Sequence, residues 1–93
     1  MCTYQTERIG IRGSGKGRNG WFSLTDATVY FDHPVHFPAE HALTIDFLNP
    51  ARGAQARVAV ELDAASARAL ALGILASLEA VPPELLSEAT PGA

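Results

Sequence analysis

The chain is short of the features that would place it quickly. It has one cysteine in 93 residues, so Cys2 cannot close an intramolecular disulfide. Lys and Arg together number 7 against 10 Asp and Glu, giving a net charge of -3 and a pI near 5.4. No uniform positive field is available to hold a phosphate backbone, and nucleic acid is not the expected partner. Long hydrophobic runs are also missing: the most apolar stretch, Ala64 to Ala80, is broken by Ser66, Arg68, Ser77 and Glu79. No membrane span is expected from it. The start of the chain has no basic segment followed by an apolar one, and the expectation is a soluble cytoplasmic protein. No internal repeat at solenoid periods is present.

What is there is 47% apolar content, enough for one small core near the size where burial only just exceeds chain entropy. Residues 3–12, "TYQTERIGIR", read as a strand running into a glycine-rich loop, "GSGKGRNG". "WFSLTDATVYFDH" favours a second strand, with a bulge or local turn at Thr25-Asp26. "HALTIDFLN" alternates Leu43, Ile45 and Phe47 against Thr44 and Asp46, and "QARVAVEL" alternates Ala56, Val58, Val60 and Leu62 against Arg57, Ala59 and Glu61. Asp63 then stands at a helix N-cap position ahead of an apolar stripe, Ala67, Leu70, Ala71, Ile74, Leu75 and Leu78. Pro82-Pro83 stops that helix, leaving one short turn and a frayed tail. The expected fold is α+β: a four-stranded antiparallel meander sheet with one long C-terminal helix packed on one face. Residues 1–80 form the domain and 81–93 the short turn and tail.

Register adds more than the strands do. Pairing Phe31 with Leu43, Val29 with Ile45 and Ala27 with Phe47 keeps apolar residues together on one face, and a one-residue slip would destroy the match. The same register sets His33 opposite His41, at the roughly 4.5–5.5 Å Cβ spacing of cross-strand partners. All three histidines lie within "HPVHFPAEH", residues 33–41. In a simple meander Cys2, His36 and the start of the helix at Asp63 come to the same end. His33, His36 and His41 suit a transition metal such as zinc, with Asp32, Glu40 or Cys2 as further ligand. Cys2, His36 and Asp63, with the helix N–H groups, suit a small anionic ligand instead. A Cys2–histidine pair also has the elements of an activated thiol.

Other patterns are weaker. "GIRGSGKG" resembles a phosphate-binding loop, but Gly17 stands where a hydroxyl is required and a strand follows where a helix is needed. Arg12, Lys16, Arg18 and Arg52 are expected to gather as basic loop residues at the end opposite the histidines. No two carboxylates fall at the separation needed for acid–base work. The face opposite the helix carries Tyr4, Phe22, Leu24, Tyr30 and Leu48, more apolar surface than a solvent-facing sheet normally leaves bare. A homodimer or larger homo-oligomer is therefore expected.

The segments "MCTYQTERIGIRGSGKGRNGWF", "ATVYFDHPVHFPAEHALTIDFLNP" and "RVAVELDAASARAL" resemble a family of small uncharacterised bacterial proteins, a domain of unknown function, over residues 1 to about 80. The resemblance implies a free-standing single domain and supplies no activity or ligand. Two readings stand side by side. One is a homo-oligomeric protein with a His/Cys-lined pocket for a transition metal or small anion, with no motif to assign an enzymatic reaction. The other is a non-catalytic accessory or interaction subunit that uses the outer apolar sheet face.

Overall fold

The computed structural model describes residues 5–87. Four strands run β1 (Thr6–Gly17), β2 (Gly20–Asp32), β3 (Ala42–Leu48) and β4 (Arg57–Leu62), followed by α1 (Ala64–Glu79) and a single turn, α2 (Pro83–Leu86). The sheet order is β1-β2-β3-β4 and every neighbouring pair is antiparallel, the expected meander. Phe31 pairs with Leu43, Val29 with Ile45 and Ala27 with Phe47, as the hydrophobic pattern requires. The ladder continues into β4 with Leu43 opposite Leu62, Ile45 opposite Val60 and Phe47 opposite Val58.

Alternation then defines two faces. The apolar face carries Ile9, Ala27, Val29, Phe31, Leu43, Ile45, Phe47, Val58, Val60 and Leu62. The polar face carries Phe22, Leu24, Tyr30, Thr44, Asp46, Leu48, Arg57, Ala59 and Glu61.

The first hairpin is longer than its glycines suggest. β1 continues to Gly17, and only Arg18-Asn19 separate it from Gly20, whose φ of 108° turns the chain. The missing side chains let β2 fold its own residues over β1: a Cβ on Gly17 would meet Phe22 Cε1 at 2.9 Å, and one on Gly15 would meet Leu24 Cδ1 at 3.2 Å. Glycine is read as punctuation in isolation, but here it makes room for a neighbour. The register shifts between Gly10 and Gly13, so the bulge lies in β1, opposite Thr25. The hairpin tip reaches the loop before β4, with Asn19 Nδ2 donating to Gln55 Oε1 at 3.1 Å, and Asn49, just after β3, donates from Nδ2 to Ser23 O of β2 at 2.8 Å.

Two expectations about layers change. The helix begins where expected, with Asp63 Oδ1 accepting from Ser66 N at 2.7 Å as N-cap. It does not pack on the sheet, however: no residue of α1 is buried, and Leu70, Leu72, Ile74, Leu75 and Leu78 are all exposed. Asp63 is the only residue between β4 and α1, shorter than the two to six residues on which strand-to-helix reversals usually rest. Such a joint gives the helix no slack in which to turn back over its own sheet. The outer apolar surface was expected on the other face, yet Phe22, Leu24, Tyr30 and Leu48 are half-buried, while Tyr4 lies outside the described residues. The apolar surplus sits on the helix.

Candidate functional site

The loop between β2 and β3, residues 33–41, folds across the polar face and is held there by one side chain. Pro34 and Pro38 have no N–H to give, and the three residues between them donate to a single carboxylate. Val35 N donates to Glu61 Oε2 at 2.6 Å, while His36 N and Phe37 N donate to Glu61 Oε1 at 3.0 and 2.7 Å. The Phe37 and Val35 N–H groups, with a smaller contribution from that of His36 and from its ring charge, hold the Glu61 carboxyl below its ordinary 4.5. A carboxylate accepting from three consecutive amides is a strong local anchor.

The histidine pair forms at the end of the ladder. His33 and His41 have ring centroids 4.7 Å apart at 32°, and Phe31 stacks on His41 at 5.7 Å and 10°. His33 Nδ1 lies 2.7 Å from Glu40 O. A carbonyl can only accept, so Nδ1 carries the proton. His33 N donates to Asp32 Oδ1 at 2.7 Å, which fixes the entry of the loop. The expected cross-strand neighbours are therefore brought together, with one ring tied to the loop backbone.

Beneath the loop is a cavity of about 600 Å³, lined by Tyr30, Thr44, Arg57, Ala59 and Glu61 from the sheet and by His33, Val35, His36, Phe37 and Pro38 from the loop. Across the neighbouring floor runs a polar chain drawn from three strands. Tyr30 Oη donates to Asp46 Oδ2 at 3.4 Å, and Arg57 Nε and Nη2 donate to Asp46 Oδ1 at 3.0 and 2.8 Å. Asp46 is 8% exposed and Arg57 closes its charge. Burial first, then the negative charge of Asp46 and the hydrogen bond to it, push the Tyr30 hydroxyl above its ordinary 10.0. It stays protonated throughout the physiological range.

Among the residues singled out from sequence, His33 and His36 line this cavity and His41 supports it through ring contacts. Asp63 does not line it: its carboxylate is engaged as the α1 cap, and no α1 residue lines the cavity either. Cys2 lies outside the described residues. Among the described residues no three His, Cys, Asp or Glu side chains stand where they could share a metal ion. The three-histidine metal site is not assembled by this arrangement.

Tyr30, Arg57 and Glu61 were missed as site residues because alternation put them on the outer face, whose apolar surface pointed to self-association and not to a site. A usable signal was present. Three adjacent amides between two prolines need an acceptor, and Glu61 is the β4 carboxylate nearest that end. At the far end Arg18 and Arg52 do share a shallow cavity of about 170 Å³, together with Asn19 and Gln55.

These features define a small α+β domain: one curled antiparallel meander, a loop clamped over its polar face, and a trailing helix. The chain belongs to a family of unknown function, DUF6295, whose model matches residues 1–87. None of the curated proteins matches it, and no solved structure does. Among the described residues no helix is long and apolar enough to cross a membrane.

Proposed function

We propose that this is a ligand-binding domain whose site is the cavity under residues 33–38, taking a small amphipathic anion. The observation that carries the reading is the Glu61 clamp, which holds a proline-flanked loop over a cavity of about 600 Å³. That volume is in the range of small-molecule sites, which are mostly apolar with a few polar groups. Tyr30, Phe37, Pro38 and Ala59 supply the apolar walls; His36 and Arg57 supply donors for an anionic group. Neither an enzymatic step nor a metal is needed for this role. The transition-metal alternative, zinc included, has less support because the donor set does not converge.

Anilinonaphthalene sulfonate, a flat apolar body with one anionic group, is a suitable probe in a fluorescence titration. One saturable site per chain is expected, weakened roughly tenfold or more in Arg57→Gln, in line with loss of a charge-assisted hydrogen bond. Arg57→Lys should retain part of the binding. Ala59→Leu, which fills the floor and leaves the Asp46–Arg57 pair in place, should weaken it too. Unchanged binding in both Arg57→Gln and Ala59→Leu would overturn the assignment. Native mass spectrometry of untagged protein adds a direct search for a co-purified anion.

A further inference from the structure

A folded chain of this composition should have a core, and this one has almost none of its own. Among the described residues the buried apolar side chains are Ala27, Ala42 and Ala56, and no large side chain is completely buried. The leucines, isoleucines and valines that a core is normally built from lie elsewhere: half-buried on the apolar sheet face, or exposed along α1. Leu72 is 60% exposed, Leu75 55% and Ile74 53%. A helix that is apolar around most of its circumference is a helix for burial.

The size of the surplus says how much is missing. The chain exposes 7171 Å² for 9.8 kDa, where a compact monomer of that mass exposes roughly 5,200 Å². The difference is well above the ~800 Å² that each partner contributes to a standard protein interface. The radius of gyration, 15.0 Å, also exceeds the roughly 12 Å expected for this length.

We infer that a second copy of this chain completes the fold, each α1 lying on the apolar sheet face of the other copy. Three considerations select this occupant and this arrangement. The one-residue joint at Asp63 keeps the helix off its own sheet. α1 has 16 residues, about 24 Å of helix, and β3 has 7, about 23 Å of strand, so the two surfaces match in length. The charged residues of α1 are Arg68 and Glu79 alone, and β2 to β4 bring no charge to the apolar face; a charge enters that face only from the edge strand β1, with Glu7 opposite Val29, clear of the β3 centre of the contact. Sheet on sheet would leave both helices bare, and helix on helix would leave both sheet faces half-open. Reciprocal exchange covers all four surfaces and is self-complementary under a two-fold axis. The inference is independent of the ligand reading, since the cavity lies on the opposite face.

Light scattering after size exclusion should give about 20 kDa, twice the chain mass of 9.8 kDa. In a Cys2→Ser background, Ile45→Cys combined with Ile74→Cys should form covalent dimers under mild oxidation, at least about tenfold more than Ile74→Cys alone, because Ile45 and Ile74 face each other across copies. These variants are small changes and can be checked for folding before oxidation. A monodisperse monomer that unfolds cooperatively overturns the inference. So does a dimer in which Ile74→Cys alone cross-links as readily as the double variant, because that outcome places helix against helix.

Discussion

The two faces of this sheet invert the usual relation between chemistry and cover. Thr44 and Asp46, on the polar face, are 6% and 8% exposed, while Leu43, Ile45 and Phe47, their neighbours on β3, are only half-buried. The polar side is covered because a loop reaches it and its groups find partners there: Glu61 accepts from three loop amides, and Asp46 accepts from Arg57 and Tyr30. The apolar face has no such tether within the chain. Hydrophobicity selects which residues share a face, whereas connection lengths decide which face its own chain can cover.

The comparison breaks most easily from the apolar side. Ile45→Ala should destabilise the assembled protein by about 2–4 kcal/mol if a second copy buries that face, and by much less if the face stays open to water. Chemical denaturation at several protein concentrations checks this, with a concentration-dependent midpoint expected. Leu75→Asp on α1 should be as damaging, converting the assembled species to unfolded or aggregated chains by size exclusion.

A second, local effect is expected on the polar face. Glu61→Ala removes the shared acceptor for Val35, His36 and Phe37, and amide exchange at those three positions should rise sharply while the β3–β4 ladder stays protected. Glu61→Gln, which retains one accepting oxygen, should fall between. Equal protection in all three proteins would show that the loop is held by something other than the clamp.

Acid gives the same test without a mutation. Because the folded Glu61 carboxyl lies below its ordinary 4.5, the clamp is fully present above that value and weakens as pH falls through the depressed folded value. Asp63 is likewise held below its ordinary 3.8 by the hydrogen bonds from Ser66, so the helix cap fails in an overlapping acid window. Following amides 35–37 and the α1 N-terminus separately by NMR distinguishes the two losses.

The smallest effect belongs to the hairpin. Gly17→Ala places a methyl against the Phe22 ring edge and should cost about 1 kcal/mol, read as a modest fall in melting temperature.

Much of the fold was legible. The alternation in β2 and β3 admits one pairing that keeps apolar residues together, and that pairing carried the His33–His41 contact with it. Asp63 as an N-cap was equally local. The continuation of β1 to Gly17 was not legible, because glycines under Phe22 and Leu24 look the same in sequence as glycines in a loop. Nor was the cavity: Tyr30, Thr44, Arg57 and Glu61 are far apart in sequence, and their face read as a surface for self-association. The metal reading of the histidines found no support at the same point: spacing brings rings close, but among the described residues no group of side chains stands where it could hold a metal ion.

By itself the sequence determined the number and order of the strands, the β2–β3 register, the start of the helix and the membership of each face in β2 to β4, because periodicity and capping act over a few residues. Only the tertiary structure decided which face the loop covers, that Glu61 is its anchor, and that the helix points away from its own sheet. Those outcomes depend on where a short loop and a one-residue joint can reach in space, which residue patterns do not encode.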